Sequence, residues 1–469
     1  MPRHFRFSAA AWIILLWLLL TVPSIFLRGA HYEEGFTIGL ARGAFEGGHW
    51  LSPHLYGLRD IERPVLISWL LGAVGLFTHR IDFWLARLPE VFSILAGALC
   101  LNHFVRRYAS AAGGLCAALC FLVSPMILQK IVTAEPDTVI SFLLFVALVT
   151  WWTGFERGKV SGARALAISV LLSIAALIKG PQPLAYFFIG VGSFLWWKGN
   201  RRELLKLAAI TVLPIAISAA WYLAVYQPGD LHQWLYHSRM AVLPAGLLQY
   251  CWRSIRFCFV VAFDWLPAVL LVFPAAVSLW RKRRDPGNDL PRLLLLYALG
   301  CTAILVFWPG ANARYSMPGF MAIAALAGLE FDTARKTNPR LTTVTTAIAA
   351  VLGLYGIAVN CVVMPLYPDR FRAQAILGQT VNSIVAGNPA PVCVTEAALH
   401  RNLLLYLSAP VRVMPFAATT QLTPPCWGMV TPSEESALRT TRRDVTITTR
   451  LELFGGTVHL VEIAGSRSP

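Results

Sequence analysis

Long apolar runs separated by short basic connections pattern this chain from residue 8 to residue 363. Crossing the hydrocarbon of a bilayer takes about 20 residues of helix. The first such run is 8–27, preceded by Arg3 and Arg6. Ten more follow: 85–105, 110–131, 139–153, 165–178, 183–197, 204–226, 257–280, 293–308, 315–329 and 341–363. The connections that hold Arg106-Arg107, Arg157 and Lys159, Lys198 with Arg201-Arg202, the run Arg281 to Arg284, and Arg335-Lys336 fall at every second turn. That alternation is the positive-inside pattern, and it puts the N-terminus in the cytoplasm and Glu33 outside. The start resembles a signal peptide, but Arg28 stands where cleavage after Ala30 needs a small residue, so a retained first span is expected. The run 65–77 is too short to cross and suits a helix lying in the interface.

The pattern changes after residue 366. Apolar periodicity predicts a helix over 371–385, strands at 392–395, 411–415 and 428–431, and a helix over 396–407. A hairpin over 445–454 and 457–463 closes around Gly455-Gly456. The expectation is a polytopic α-helical membrane protein of about eleven spans, thirteen at most, over 1–366. Its first loop is 28–84, and a small soluble α/β domain occupies 367–469. By span parity the loop and the domain lie in the periplasm.

Composition agrees. The chain has 469 residues, 57% of them hydrophobic and only 14% charged, and a mean hydropathy of +0.60. A soluble domain of that length needs a more polar surface. The net charge of +16 would suggest nucleic acid in a soluble protein. Here the basic residues cluster between apolar runs, so no nucleic-acid partner is expected. The nine cysteines form no C-x-x-C pair. Cys393 and Cys426 alone lie in the C-terminal region, where an oxidising compartment would allow a bridge.

Candidate chemistry concentrates in the first loop. Glu33-Glu34 follows the first run, then come Arg42, Trp50, Pro53, His54 and Leu55, and Glu62-Arg63-Pro64-Val65 closes the stretch. A membrane protein has little structural need for two carboxylates at the surface of the bilayer. The order and spacing resemble the first outer loop of the GT-C glycosyltransferases that use polyprenyl-phosphate sugars, above all the lipid A aminoarabinose transferases and the protein O-mannosyltransferases. Those carry Asp-Glu, an Arg, Trp-x-x-Pro-x-Leu and Glu-Lys-Pro-Pro. Further along, Asp137 matches an acidic position of the family's second outer loop. Lys179-Gly180-Pro181 matches its Lys-Gly-Pro, and Arg314-Tyr315-x-x-Pro318 matches, loosely, a basic residue with Tyr-x-x-Pro.

The resemblance implies a single inverting displacement. An acceptor hydroxyl loses its proton to a carboxylate as it attacks the anomeric carbon, and cations stabilise the departing phosphate. Glu33, Glu34 and Asp137 are the candidate catalytic residues. Arg63, Lys179, Arg314, Tyr315, Arg42, His54 and Glu62 are the candidate substrate-binding residues. Glu33 is one methylene longer than the family's Asp, which changes the geometry a base would have. Competing readings are helix capping for Asp137 and snorkelling to headgroups for the lone cations. His31, His49 and His54 lack metal-ligand spacing; a divalent metal is left open, and no other cofactor is called for. The expected partners are a polyprenyl-phosphate sugar donor, an envelope lipid or protein acceptor and membrane lipids. The rival functions are a transporter or flippase of lipid-linked saccharides, or a non-catalytic envelope assembly protein. The chain shows no internal repeat of the kind a transporter would carry.

Overall fold

The computed structural model describes residues 8–237, 246–282, 285–308, 310–387, 390–419, 426–442, 444–453 and 456–463. In chain order the elements are α1 (Ala9–Leu27), α2 (Glu34–Phe45), the short strands β1 (His54–Leu55) and β2 (Leu58–Arg59), α3 (Leu66–Thr78), α4 (Phe83–Val105), α5 (Ala111–Leu122) and α6 (Pro125–Lys130). Then come α7 (Asp137–Phe155), α8 (Gly162–Lys179), α9 (Gln182–Trp197), α10 (Arg201–Val225), α11 (Asp230–His237), α12 (Leu247–Asp264), α13 (Ala268–Arg281), α14 (Asp289–Val306), α15 (Met317–Thr337) and α16 (Pro339–Ala358). The C-terminal region adds β3 (Val392–Thr395), β4 (Val411–Met414), β5 (Cys426–Val430), β6 (Val445–Leu453) and β7 (Gly456–Ile463).

All eleven apolar runs are helical. Among the described residues, seven helices are long and apolar enough to cross a membrane: α1, α4, α7, α8, α10, α14 and the helix Pro339–Leu366 that continues α16. Two runs are broken. The run 110–131 divides at Val123, with Ser124 capping α6 and Pro125 in its first turn. The run 257–280, expected as one span, bends by 112° between α12 and α13. Pro267 has no N–H to carry the helix ladder through that break. The chain is thus a multi-pass, mostly helical membrane protein.

Two compact units divide the chain. The first comprises 1–25, 62–66 and 87–365, and the second 26–61, 67–86 and 366–469. In the first unit a single apolar core runs through α1, α4, α5, α7–α10 and α13–α15. Small residues let its helices approach closely. A Cβ on Gly113 of α5 would sit 2.5 Å from the Gly328 carbonyl oxygen of α15.

The second unit is built on a five-stranded sheet of order β4-β3-β5-β7-β6. β3 runs parallel to β4 and β5, while β7 is antiparallel to β5 and β6. The expected closing hairpin is present, and its turn at 454–455 lies outside the described residues. The helix expected over 396–407 is instead a 3-10 turn, Glu396–Ala398, and one short turn of helix, Arg401–Leu404. A helix at Pro432–Thr441 went unread in the sequence, although Thr431 and Glu434 form a capping box at its start. Cys393 and Cys426 are free thiols.

Within this unit the first loop is stitched to the C-terminal region. Gly29 N donates to Phe371 O (2.9 Å), and Val413 N of β4 donates to Tyr56 O (3.1 Å). Gly35 N donates to the Asn402 side-chain oxygen (2.7 Å). A Cβ at Gly35 would come within 2.5 Å of the Arg401 carbonyl oxygen, so only glycine permits this crossing. The short apolar helix α3 buries Ile67, Leu71 and Gly75 on one side and exposes Leu70, Val74 and Phe77 on the other.

Candidate active site

Asp137 opens α7, but it does not cap it. Pro136 occupies the N-cap and makes no side-chain bond to the helix. The Asp137 carboxylate is paired instead with Lys179, the last residue of α8, and lies 3.6 Å from Nε of Arg314. The capping expectation is therefore corrected, although a negative charge in the first turn still suits the helix dipole. Two residues earlier, Glu135 Oε2 receives Lys130 Nζ at 2.6 Å and Arg314 Nη1 at 3.0 Å.

The five side chains are nearly enclosed, at 5% exposure for Lys130, 1% for Glu135, 8% for Asp137, 11% for Lys179 and 12% for Arg314. A snorkelling cation would hold its head in water. Lys179 and Arg314 instead turn theirs onto carboxylates. Three cations, Lys130, Lys179 and Arg314, face two carboxylates, Glu135 and Asp137, which leaves an excess of one positive charge. Arg63, 7% exposed and 3.7 Å from Glu62 Oε1, adds its field at Asp137. Burial strengthens such fields, so the cluster suits an anionic ligand.

Tyr315 covers the cations. The Lys179 ammonium lies 4.1 Å from its ring centroid and the Arg314 guanidinium 5.2 Å. The segment carrying Arg314 and Tyr315 leaves the end of α14, whose last carbonyls need partners. Side chains of α12 supply them: Ser254 Oγ donates to Val306 O (3.1 Å), Tyr250 Oη to Phe307 O (2.9 Å) and Arg253 Nη2 to Trp308 O (3.0 Å). The Trp308 ring then packs 5.9 Å from that of Tyr315.

Sequence reading missed part of this cluster. Lys130 ends a run whose other end is basic, so it was one more cation against the charge bias. Arg87 and Glu90, which no motif singled out, are fully buried in α4. Arg87 Nη1 donates to Ile25 O (3.0 Å), and Glu90 Oε1 accepts from Thr138 N (3.3 Å), next to Asp137. Ionisable groups so deep in an apolar helix are costly and mark function by default.

Of the first-loop candidates, Glu33, Glu34, Arg42 and His54 lie in the second unit, while Glu62 and Arg63 belong to the first. Glu34 is fully buried, and its Oε2 accepts from the His31 backbone and meets His31 Nδ1, each at 3.0 Å. Glu33 is half-buried at the N-cap position of α2, where its carbonyl accepts from Phe36 N and Thr37 N. Arg42 Nη1 donates to Leu405 O (3.1 Å), which ties α2 to the C-terminal region. His54 stacks on His49 with centroids 3.7 Å apart. Burial and the neighbouring His54 charge lower the His49 pKa. Among the described residues no group of three His, Cys, Asp or Glu side chains is arranged to hold a metal.

Residues 62–226 match the family described as dolichyl-phosphate-mannose-protein mannosyltransferase. The structure superposes on crystal structures of ArnT from Cupriavidus metallidurans, apo and bound to undecaprenyl phosphate. Each has a TM-score of 0.73, over 98% of this chain and 100% or 98% of that one, at 17% and 16% identity. The chain shares the fold of ArnT. An oligosaccharyltransferase from Archaeoglobus fulgidus is more distant, with a TM-score of 0.56 and 11% identity over 87% of this chain and 62% of that one. In sequence, the chain is 24% identical to an undecaprenyl phosphate-alpha-4-amino-4-deoxy-L-arabinose arabinosyl transferase of Erwinia tasmaniensis, over 72% of this chain and 63% of the relative. A homologous transferase of Pseudomonas fluorescens is also 24% identical, over 69% and 60%. The chain thus spans about three fifths of the length of the curated relatives it matches. The resemblance to the GT-C glycosyltransferases read from the motifs is borne out.

Proposed function

We propose that this protein is an inverting glycosyltransferase. It moves a sugar from a polyprenyl-phosphate donor to an envelope acceptor, such as lipid A, a core sugar, another glycolipid or a protein, on the periplasmic face of the bacterial inner membrane. The observation that carries this reading is the enclosed cluster of Lys130, Lys179 and Arg314 about Glu135 and Asp137, with its excess of positive charge. The ArnT fold and the undecaprenyl phosphate in one ArnT structure support it.

In this reading Lys179, Arg314 and Arg63 hold the donor phosphate and stabilise the charge that grows on its oxygens as the anomeric C–O bond breaks. Asp137 and Glu135 orient those cations, and Tyr315 shields them from water. Glu33 is the general base that takes the acceptor proton. Glu34, enclosed against His31, supports the loop that carries Glu33. Glu62 steadies Arg63. The membrane part is residues 1–366, with the eleven apolar runs crossing or entering the bilayer. The region 367–469 and the first loop are periplasmic, and the N-terminus is cytoplasmic.

Purified full-length protein in detergent, given polyprenyl-phosphate sugar and candidate acceptors, forms glycosylated product. A transporter or an assembly factor forms none, and that result overturns the proposal. Orientation is tested apart from activity. In a background without native cysteines, a membrane-impermeant thiol reagent applied to spheroplasts labels Ser433→Cys and spares Gly287→Cys. The reverse labelling rejects the topology.

A further inference from the structure

A cavity lies away from the charged cluster, at the other ends of α7, α8 and α10. It is an open groove of about 260 Å³, lined by Trp151, Val160, Leu166, Ala209 and Ile210, with Lys206 on its rim. The apolar walls belong to candidate spans, so the groove opens where lipid chains would lie. Leu166 and Ala209 are exposed, so a chain can enter from the side. The chain segments that flank the groove are strongly basic. Arg157 and Lys159 stand in the 156–161 connection, Arg164 lies in the first turn of α8, and Arg201, Arg202 and Lys206 begin α10. Only Glu156 and Glu203 oppose them, so six cations meet two carboxylates. Glu203 pairs with Lys206, and the Glu156 carboxylate is taken up by the Tyr108 hydroxyl at 2.7 Å.

We propose that this groove is a binding site for an anionic phospholipid. One acyl chain lies against Trp151, Leu166 and Ile210, and the phosphate sits among Lys206 and the basic residues of the flanking segments. The chemistry selects the occupant. An apolar slot alone takes any acyl chain, whereas the local excess of four positive charges favours a negative headgroup over a zwitterionic one. Lys206 is the hinge of the site, since it can exchange its Glu203 partner for a lipid phosphate. On the orientation proposed above, the groove faces the cytoplasmic leaflet, but lipid binding itself does not depend on that reading or on catalysis.

Native mass spectrometry of delipidated full-length protein tests this, with phosphatidylglycerol and phosphatidylcholine of identical chains titrated in parallel. The wild type binds one phosphatidylglycerol in preference to phosphatidylcholine. Lys206→Gln lowers that preference about fivefold, the worth of one basic residue at an anionic surface, and Lys206→Arg restores it. Ala209→Trp, which fills the slot, removes binding of both lipids at this site. Lys206→Gln changes a partly exposed side chain, so it reports even if Ala209→Trp fails to fold. Equal binding of the two lipids by the wild type overturns the proposal. So does phosphatidylglycerol binding that survives both variants, or displacement of phosphatidylglycerol by polyprenyl phosphate at equal concentration, which would make the groove a donor site.

Discussion

The acidic residues of the first loop and those that precede α7 look alike in sequence, yet they are handled differently. Glu34 satisfies its carboxylate locally, on the backbone and ring of His31 three residues away. Glu135 meets nearby Lys130 as well, but both it and Asp137 also draw in cations from distant positions, Lys179 and Arg314. The first arrangement fixes a turn. The second gathers cations from three segments into one enclosed place. A carboxylate paired with its sequence neighbour is architecture, while one that draws in distant cations shapes an electrostatic site.

The largest expected effect divides the two glutamates of the first loop. Glu33→Gln keeps size and removes the proposed base, so kcat falls by about 100-fold or more with thermal stability unchanged. Glu34→Gln weakens a buried charge-assisted contact, so the melting temperature falls while turnover per folded molecule survives. Stripping a hydrogen bond of that kind costs about 1.5–3 kcal/mol. The opposite outcome, turnover lost in Glu34→Gln alone, would shift the match to the family by one residue.

The cation cluster comes next. Lys179→Ala weakens donor use by roughly tenfold to 150-fold, the worth of one hydrogen bond to a charged group. Lys179→Arg retains more activity than Lys179→Ala, because a cation still answers Asp137. Steady-state kinetics with varied donor measures both. Wild-type kinetics in Lys179→Ala would make this cluster architecture like that of the first loop.

A smaller effect falls on Arg253. Its bond to Trp308 O steadies the segment that carries Arg314 and Tyr315. Arg253→Ala is expected to raise the KM for donor several-fold with kcat nearly unchanged, and Arg253→Lys to recover part of the loss. Smallest is Arg42→Ala. It removes the bond to Leu405 O and costs about 1 kcal/mol of stability, read as a lower melting temperature, with kcat intact. A loss of donor binding there would instead support Arg42 as a substrate-binding residue.

Much of this protein was legible without coordinates. Apolar runs long enough for a bilayer leave a helix little choice, because backbone groups in hydrocarbon must bond within the segment. The strands β3, β4 and β5 and the closing hairpin followed from alternation and glycines. The capping box at Thr431 was equally local and could have been read.

What escaped was non-local. The bend between α12 and α13 and the division between α5 and α6 interrupt apolar runs that hydropathy reads as continuous. Hydropathy sums composition and is blind to a break that one proline and one serine make. The first loop announced Glu33, Arg42 and His54 by spacing, yet spacing does not tell which side chains are spent on the chain itself. Arg42 serves Leu405, 363 residues away. Lys130 and Glu135 stand at the end of a span in the sequence, and only the fold shows Arg314, 179 residues beyond Glu135, closing on the same oxygen as Lys130. Sequence determined the helices, their polarity and the kinds of charge available, because those depend on neighbours along the chain. Which charges meet was decided only by the packing of helices far apart in sequence, because a buried charge takes whatever partner the fold brings within reach.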